Sequence, residues 1–500
     1  MQNVSIPAAA ASGRSLSSCG FSTSREPSID RKRSANRSDP PSGGTVHGMD
    51  ADKSFYNRLP GTGEDTKVKA IQFFSSYALI FCLSVATLPP ARADVAPGDV
   101  IDATNWQKAK ELLPEPVLNW VKKGDFVLNV DELRFRLLDF FPPFQIEAFQ
   151  THVGKYELDA DGGIIDAHTG KPTEQIIGLP FPASAPDDPR LPEKLMQNNH
   201  YMQYMPGNLR FPFQGLYLAR SGFERESGSL WMQMAMDGHP GALQVPNPRG
   251  IEKYAIMVVK TPYDLAGTAI MLWRYRDPNK QDNSFGYLPA IRRVRRMSPA
   301  NRSDALLGGD FAIDDANGYD GKVTAFTWKF LRRQEALLPM LDVDPVRIVR
   351  NESAEWETTQ GIKPIVYGYQ KQGWQGAAWA PTNLCWIKRP VYVLEMIPKD
   401  PYYNYGPQHL WLDAEIYGCG YKVIYDKSGK YWKTLFLSAA ACQSDDKSMR
   451  FLSLSSQQVI DDRSDRSSVI EDCSPRNIWA FFAKMDENNF SLAGFQRFCK

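Results

Sequence analysis

Five hundred residues with a net charge of +1 give no reason to expect a nucleic-acid partner, whose recognition depends on clustered positive charge. The hydrophobic fraction of 43% and charged fraction of 23% are those of an ordinary globular protein, and the length exceeds one small domain. Aromatics are unevenly placed: all twelve tryptophans lie between Trp106 and Trp479, whereas the first sixty residues hold twelve serines and only Phe21, Phe55 and Tyr56.

Residues 1–66 therefore read as a disordered extension, because such a segment cannot bury enough apolar surface to offset its ordering entropy. Lys67 to Asp94 reads KVKAIQFFSSYALIFCLSVATLPPARAD. Lys67 and Lys69 supply a positive start, Ile71 to Leu88 are uncharged and largely apolar, and Pro89-Pro90 break the helix. Ala91-Arg92-Ala93 then fits a small-residue cleavage site before Asp94. The order predicts a signal peptide over 67–93, cleaved after Ala93, and export to the periplasm or outer membrane. An uncleaved anchor is the competing reading. A translation start assigned too far upstream, or a cytoplasmic tail, accounts for the late position of the signal.

Beyond it, 94–252 is expected to hold helices and extended loops, 253–440 the sheet body and 441–500 a C-terminal segment. Val100 to Gly124 reads as short amphipathic helices split by Pro114 and Pro116. Phe140 to Tyr204 is rich in proline, glycine and aspartate and reads as wrapping loops. Strands begin around Lys253, with Tyr254–Val259 and Thr268–Arg276 flanking the turn at Thr261–Gly267. Asp282–Ile291, Val323–Phe330 and Gln408–Tyr417 alternate apolar and polar residues with the period of a half-buried strand. Val391–Ile397 is another strand, and Tyr421–Tyr425 and Tyr431–Phe436 flank a hairpin turn at Asp426–Gly429. Asn477–Phe498 carries Ile478, Phe481, Phe482 and Phe490 and is expected to return onto the body. The sum is a mainly β (α+β) fold: a large curved antiparallel sheet with short helices and long wrapping loops.

Motifs for catalysis are sparse. Nucleophile elbow, phosphate-loop and dinucleotide patterns are absent from the sequence, and no cofactor is implied. His152, His168, His200, His239 and His409 are scattered without metal-binding spacing. The seven cysteines form no CxxC pair, and any disulfide connectivity stays open. The acidic run Asp310–Gly321 is either a calcium loop or, more simply, turns leading into the next strand. Arg292, Arg293, Arg295 and Arg296 make a compact cationic patch suited to phosphate or carboxylate. The plainer alternative pairs them with Asp304, Asp310, Asp314 and Asp315. Trp273, Tyr275, Phe285, Tyr287, Ile291, Phe326, Trp328 and Trp411 are the candidates for lining an apolar cavity, although the same residues suit a plain core.

Thr261–Lys329, with IDATNWQKAKELLP near Asp102, GLPFP at Gly178, PKDPYYNY at Pro398–Tyr405 and LDAEIY…YDKSGKYWK at Leu412–Lys433, resembles the bacterial family catalogued as domain of unknown function 1329. The resemblance implies exported proteins of Gram-negative bacteria with a fold similar to LolA and LolB, a half-barrel sheet enclosing an apolar cavity. It also implies company with exporters of the resistance-nodulation-division (RND) type, and it transfers no catalytic residue. The expected function is thus a carrier of a lipid-like hydrophobic ligand, not an enzyme, with an RND-type exporter and an outer-membrane protein as partners. A structural accessory subunit and a periplasmic hydrolase are the alternatives.

Overall fold

Proline and glycine placement sets the first elements of the computed structural model, which describes residues 94–359, 362–471 and 477–499. The extension, the signal segment, Cys19, Cys82 and Cys473 lie outside these residues. β1 (Val100–Ile101) leads to α1 (Glu115–Lys123), whose first turn accepts Pro116 because the missing N–H has no helical partner there. Gly124, at φ 78°, closes that helix in a left-handed cap. β2 (Leu128–Asp131), α2 (Pro143–Thr151), the hairpin β3 (Tyr156–Leu158) and β4 (Ile164–Asp166), and α3 (Leu191–Met202) follow. The segment expected to be loops thus contains two helices. Nine of the twelve residues of α3 are buried, so the helix has no polar face to betray it in the sequence.

Next come β5 (Leu209–Ala219), β6 (Gly222–Ala235), β7 (Ile251–Thr261), β8 (Ala269–Tyr275), β9 (Asn283–Leu288) and β10 (Arg293–Met297). β11 (Phe326–Met340), β12 (Val346–Arg350), β13 (Trp356–Thr358), β14 (Cys385–Pro398) and β15 (Gln408–Asp413) continue the sheet. β16 (Cys419–Tyr425), β17 (Tyr431–Ser444), β18 (Arg450–Asp461), β19 (Arg466–Glu471) and β20 (Ala480–Phe481) complete it before α4 (Leu492–Phe498). Every strand read from alternation is present. The sheet nevertheless begins before Lys253 and runs past residue 440. β5 carries Pro212 and β6 carries charges and glycines, which masked their pattern. β17 and β18 hide polar residues in the core, where Ser438, Ser455 and Ser456 bond to one another at 2.6–2.8 Å.

Eighteen strands join in one sheet among the described residues. Neighbours run antiparallel from β10 through β9, β8, β7, β6 and β5 to β19, β18, β17, β16, β15, β14 and β11. β11 then meets β17 in parallel, closing a ring through β14, β15 and β16. Parallel pairings of β12 with β17 and β14 with β2 make the sheet mixed at these seams. No helix among the described residues is long and apolar enough to cross a membrane.

The C-terminal segment returns as expected. Phe490, Phe495 and Cys499 pack on Tyr254, Met271, Tyr275, Phe285 and Tyr287, covering one face of β7–β9. On the opposite face, the loop from Leu306 to Asp320 crosses the interior and is tied by charge on both flanks. Asp320 Oδ1 accepts from Lys253 Nζ of β7 at 2.6 Å and Arg274 Nη1 of β8 at 2.8 Å. On the other side Lys422 Nζ of β16 donates to Asp315 Oδ1 at 2.9 Å, and Lys433 Nζ of β17 donates to the Asp310 carbonyl at 2.6 Å. Burial alone would raise both aspartates. The facing cations outweigh it and hold Asp315 and Asp320 below the usual carboxylate range.

Lys422 and Asp315 are both fully buried, so Lys422→Ala strands a carboxylate in the core and should cost about 3–5 kcal/mol. Lys329→Ala, which removes an exposed cation facing Glu395, should cost under about 1 kcal/mol. Urea unfolding measures both, and equal losses would contradict the anchoring role. A second expectation concerns pH. Glu471 at the end of β19 is buried, which pushes its carboxyl up to about 7. Its raised value means the folded chain holds the proton longer than the unfolded one, so stability is fullest at acid pH and declines as pH rises toward 7. The urea midpoint should fall between pH 5 and 8 (about the span of the shift), and Glu471→Gln should flatten that fall. Identical slopes for the two proteins would show that Glu471 does not titrate in this way.

Candidate functional site

Strand alternation gives β5–β8 two faces, and the face away from the C-terminal segment borders a cavity. Two cross-strand rows form its floor. Phe211, Trp231, Met257 and Ile270 make one, and Leu209, Gln233, Ala255 and Leu272 the other. The opposite wall comes from Leu437, Ala439, Leu452, Leu454 and Gln457 of β17 and β18, with Ile470 of β19. α3 contributes Asn199 and Met202, and the crossing loop contributes Phe311, Ile313 and Asn317. The cavity has a volume of about 200 Å³. Leucine, methionine, isoleucine and phenylalanine dominate the wall, the composition of a site for an apolar guest.

Asp320 is the one charged residue among the described residues of the lining, and its charge is already answered. Besides Lys253 and Arg274 on its carboxylate, its carbonyl accepts from Arg274 Nη2 at 2.7 Å and from Arg302. Arg274 also reaches Asp282 at 3.1 Å, and Arg302 reaches Asp314 at 2.5 Å. Three cations and three carboxylates therefore balance behind the wall. Nearby His200 is fully buried, and desolvation lowers its pKa to about 3, so it adds no charge. Cys419, in the lining, is a neutral thiol pushed up to about 12 by burial, and it donates to the Tyr421 carbonyl at 3.2 Å.

The eight aromatic and apolar candidates from the sequence lie elsewhere. Trp273, Tyr275, Phe285 and Tyr287 point to the other face, against the C-terminal segment, where Trp273 Nε1 donates to the Phe490 carbonyl at 2.8 Å. Phe326 and Trp328 pack with Tyr319 in a filled core, and Trp328 Nε1 donates to the Val323 carbonyl at 2.7 Å. Trp411 is buried in another core beside Tyr421. Ile291 is exposed just after β9. The cavity residues were missed for two reasons: β5, β6 and α3 were hidden in the sequence, and large rings were assumed to border open space. The rings that do border it, Phe211, Trp231 and Phe311, stand on β5, β6 and the crossing loop.

The arginine run is placed more tellingly. Arg292, Arg293, Arg295 and Arg296 are all exposed on or beside β10, whose one partner among the described residues is β9. Asp314 and Asp315 are bound to Arg302 and Lys422, Asp310 accepts from Ser468 Oγ, and Asp304 faces Asn301 and Asn404. The anticipated pairing of these aspartates with the run is therefore not the arrangement found. Arg295 lies opposite Gly286, which lies opposite Ile270 of the cavity floor. Arg293 and Arg295 thus share the floor's face, and Arg295 sits two strands outward, about 10 Å at ~4.8 Å per strand. Arg296 turns to the other face and donates to Asn283.

His409 Nε2 lies 3.5 Å from Glu395, and His239 Nε2 contacts the Ala235 carbonyl at 3.1 Å. The described cysteines, Cys385, Cys419, Cys442 and Cys499, are free and buried.

No curated protein matches the chain. Among solved structures, a putative outer membrane lipoprotein-sorting protein domain from Vibrio parahaemolyticus is similar at 17% identity, covering 61% of this chain and 97% of that one, with a TM-score of 0.40. A DUF1329 family protein from Desulfovibrio piger aligns at 15% identity over 59% of this chain and 95% of that one, with a TM-score of 0.39. A LolA superfamily protein from Nitrosomonas europaea aligns at 12% identity over 60% and 98%, with a TM-score of 0.36. The family model described as "Protein of unknown function (DUF1329)" matches residues 100–494, and the chain belongs to that family.

Proposed function

We propose that the protein binds and carries a lipid-like molecule in the cell envelope, with the guest's apolar body in the cavity and an anionic end at Arg293 and Arg295. The observation that carries this reading is the unfilled, apolar-walled space between β5–β8 and the crossing loop. A purely structural sheet packs its inner face with its own side chains, whereas this apolar wall borders open space. The cross-strand row from Arg295 over Gly286 to Ile270 supports the placement of the anionic end, because it puts Arg295 on the face of the cavity floor. Apolar burial supplies the drive, at about 0.8 kcal/mol for each methylene removed from water. The segment Lys67–Asp94 supports a place in the periplasm or at the outer membrane. There the carrier would stand between an exporter of the RND type and an outer-membrane protein.

The purified protein should take up N-phenylnaphthylamine and release it to fatty acids, with affinity rising about fourfold per methylene until the cavity is full. Ala255→Trp, which fills the floor, should weaken uptake about tenfold or more while leaving the strand circular dichroism intact. Arg293→Glu with Arg295→Glu should weaken fatty acids but leave the uncharged dye unaffected. Dye uptake unchanged by Ala255→Trp would place the guest elsewhere and overturn the reading.

A further inference from the structure

The cavity is apolar, but its wall carries two amide groups with unmet hydrogen-bonding capacity. Asn199 and Gln203 are four residues apart at the C-terminal end of α3, so they share one side of the helix, and both border the cavity. Asn199 is 3% exposed. Its Nδ2 donates to the Tyr417 carbonyl at 2.8 Å, which fixes the orientation of the amide, since a carbonyl cannot donate in return. The Asn199 Oδ1 that remains is buried and has no partner among the described residues. Gln203 is complementary. Its Oε1 accepts from Asn317 Nδ2 at 3.1 Å, while its Nε2 is buried and has no partner among the described residues. One free acceptor and one free donor therefore stand a helical turn apart in the same wall.

Buried polar groups are nearly always paired, because leaving one dry forfeits its hydrogen bonds to water. A guest that supplies both a donor and an acceptor at this point restores both. A charged group does not suit the position, because Lys253, Arg274 and Asp320 are committed to one another and offer no counter-charge. An ester or ketone answers only Gln203, and a saturated chain answers neither.

We infer that the cavity selects guests whose apolar body carries one uncharged donor–acceptor group, a hydroxyl or an amide, that bonds Asn199 Oδ1 and Gln203 Nε2. This inference rests on the carrier reading and specifies its substrate class. It also reverses a simple hydrophobic ranking. A hydroxyl placed in the chain makes a fatty acid more soluble in water, so a cavity that judged only apolar area would prefer the plain acid. This cavity prefers the hydroxylated one.

The test is displacement of N-phenylnaphthylamine from the full chain by stearate and by monohydroxystearates bearing the hydroxyl near, midway along or far along the chain. At least one hydroxy isomer should bind about fivefold or more tightly than stearate. Gln203→Met, which keeps the length and removes the donor, should restore the preference for stearate, read as the ratio of the two displacement constants. Asn199→Leu should do the same, and if it folds poorly because the Tyr417 carbonyl loses its donor, the Gln203→Met result alone decides. Stearate binding more tightly than every isomer, or a hydroxy preference that survives Gln203→Met, would overturn the inference and leave the carrier reading standing. Failure of the dye itself to bind would overturn both.

Discussion

The cavity depends on how the loop from Leu306 to Asp320 is held across the inside of the sheet. Its carboxylates are gripped from opposite sides, by Lys253 and Arg274 on β7 and β8 and by Lys422 on β16. Charges of opposite sign at these positions fix the loop from both flanks, while its Phe311 and Tyr319 pack into the core beside it. Removing water from such ions is costly, and opposite charge offsets that cost: Asp282, Asp314 and Asp320 stand against Lys253, Arg274 and Arg302.

The two faces of β7 and β8 show how one alternating pattern serves two ends. Tyr254, Met271 and Tyr275 point outward and are sealed by Phe490 and Phe495. Ala255, Met257, Ile270 and Leu272 point inward and leave room. The C-terminal segment therefore acts at a distance on the site: by covering the outer face it lets these strands be apolar on both sides. Methionine among the inward residues suits a wall that must adapt to a guest, since its unbranched chain repacks at low cost.

Much of the fold was readable from the residues themselves. Period-2 alternation in Gln408–Asp413 or Phe326–Phe330, and the Asp426–Gly429 turn, mark strands because each buries one face only. The same logic failed where burial was two-sided or polar. α3 is enclosed almost all round, β5 carries a proline, and Ser438, Ser455 and Ser456 satisfy one another inside the core instead of facing water. Register was beyond reach too, because strands hundreds of residues apart pair with one another, as β19 does with β5, where Val469 lies opposite Leu216. Without register, the arginines could be flagged as a patch but not assigned to a face. The aromatic candidates lie apart from the cavity because alternation alone does not say which face of a strand a core fills: Tyr275, Phe285 and Tyr287 meet the C-terminal segment, and Phe326 and Trp328 another core.

Trp231 offers the most direct measurement, because it borders the cavity while Trp120, Trp379, Trp386 and Trp479 are buried in the packed interior. Titrating the protein with a brominated fatty acid should quench a fraction of the tryptophan emission saturably, and Trp231→Phe should abolish that fraction while the fold persists. Quenching that never saturates, or that is the same without Trp231, would mean that the guest does not enter this space.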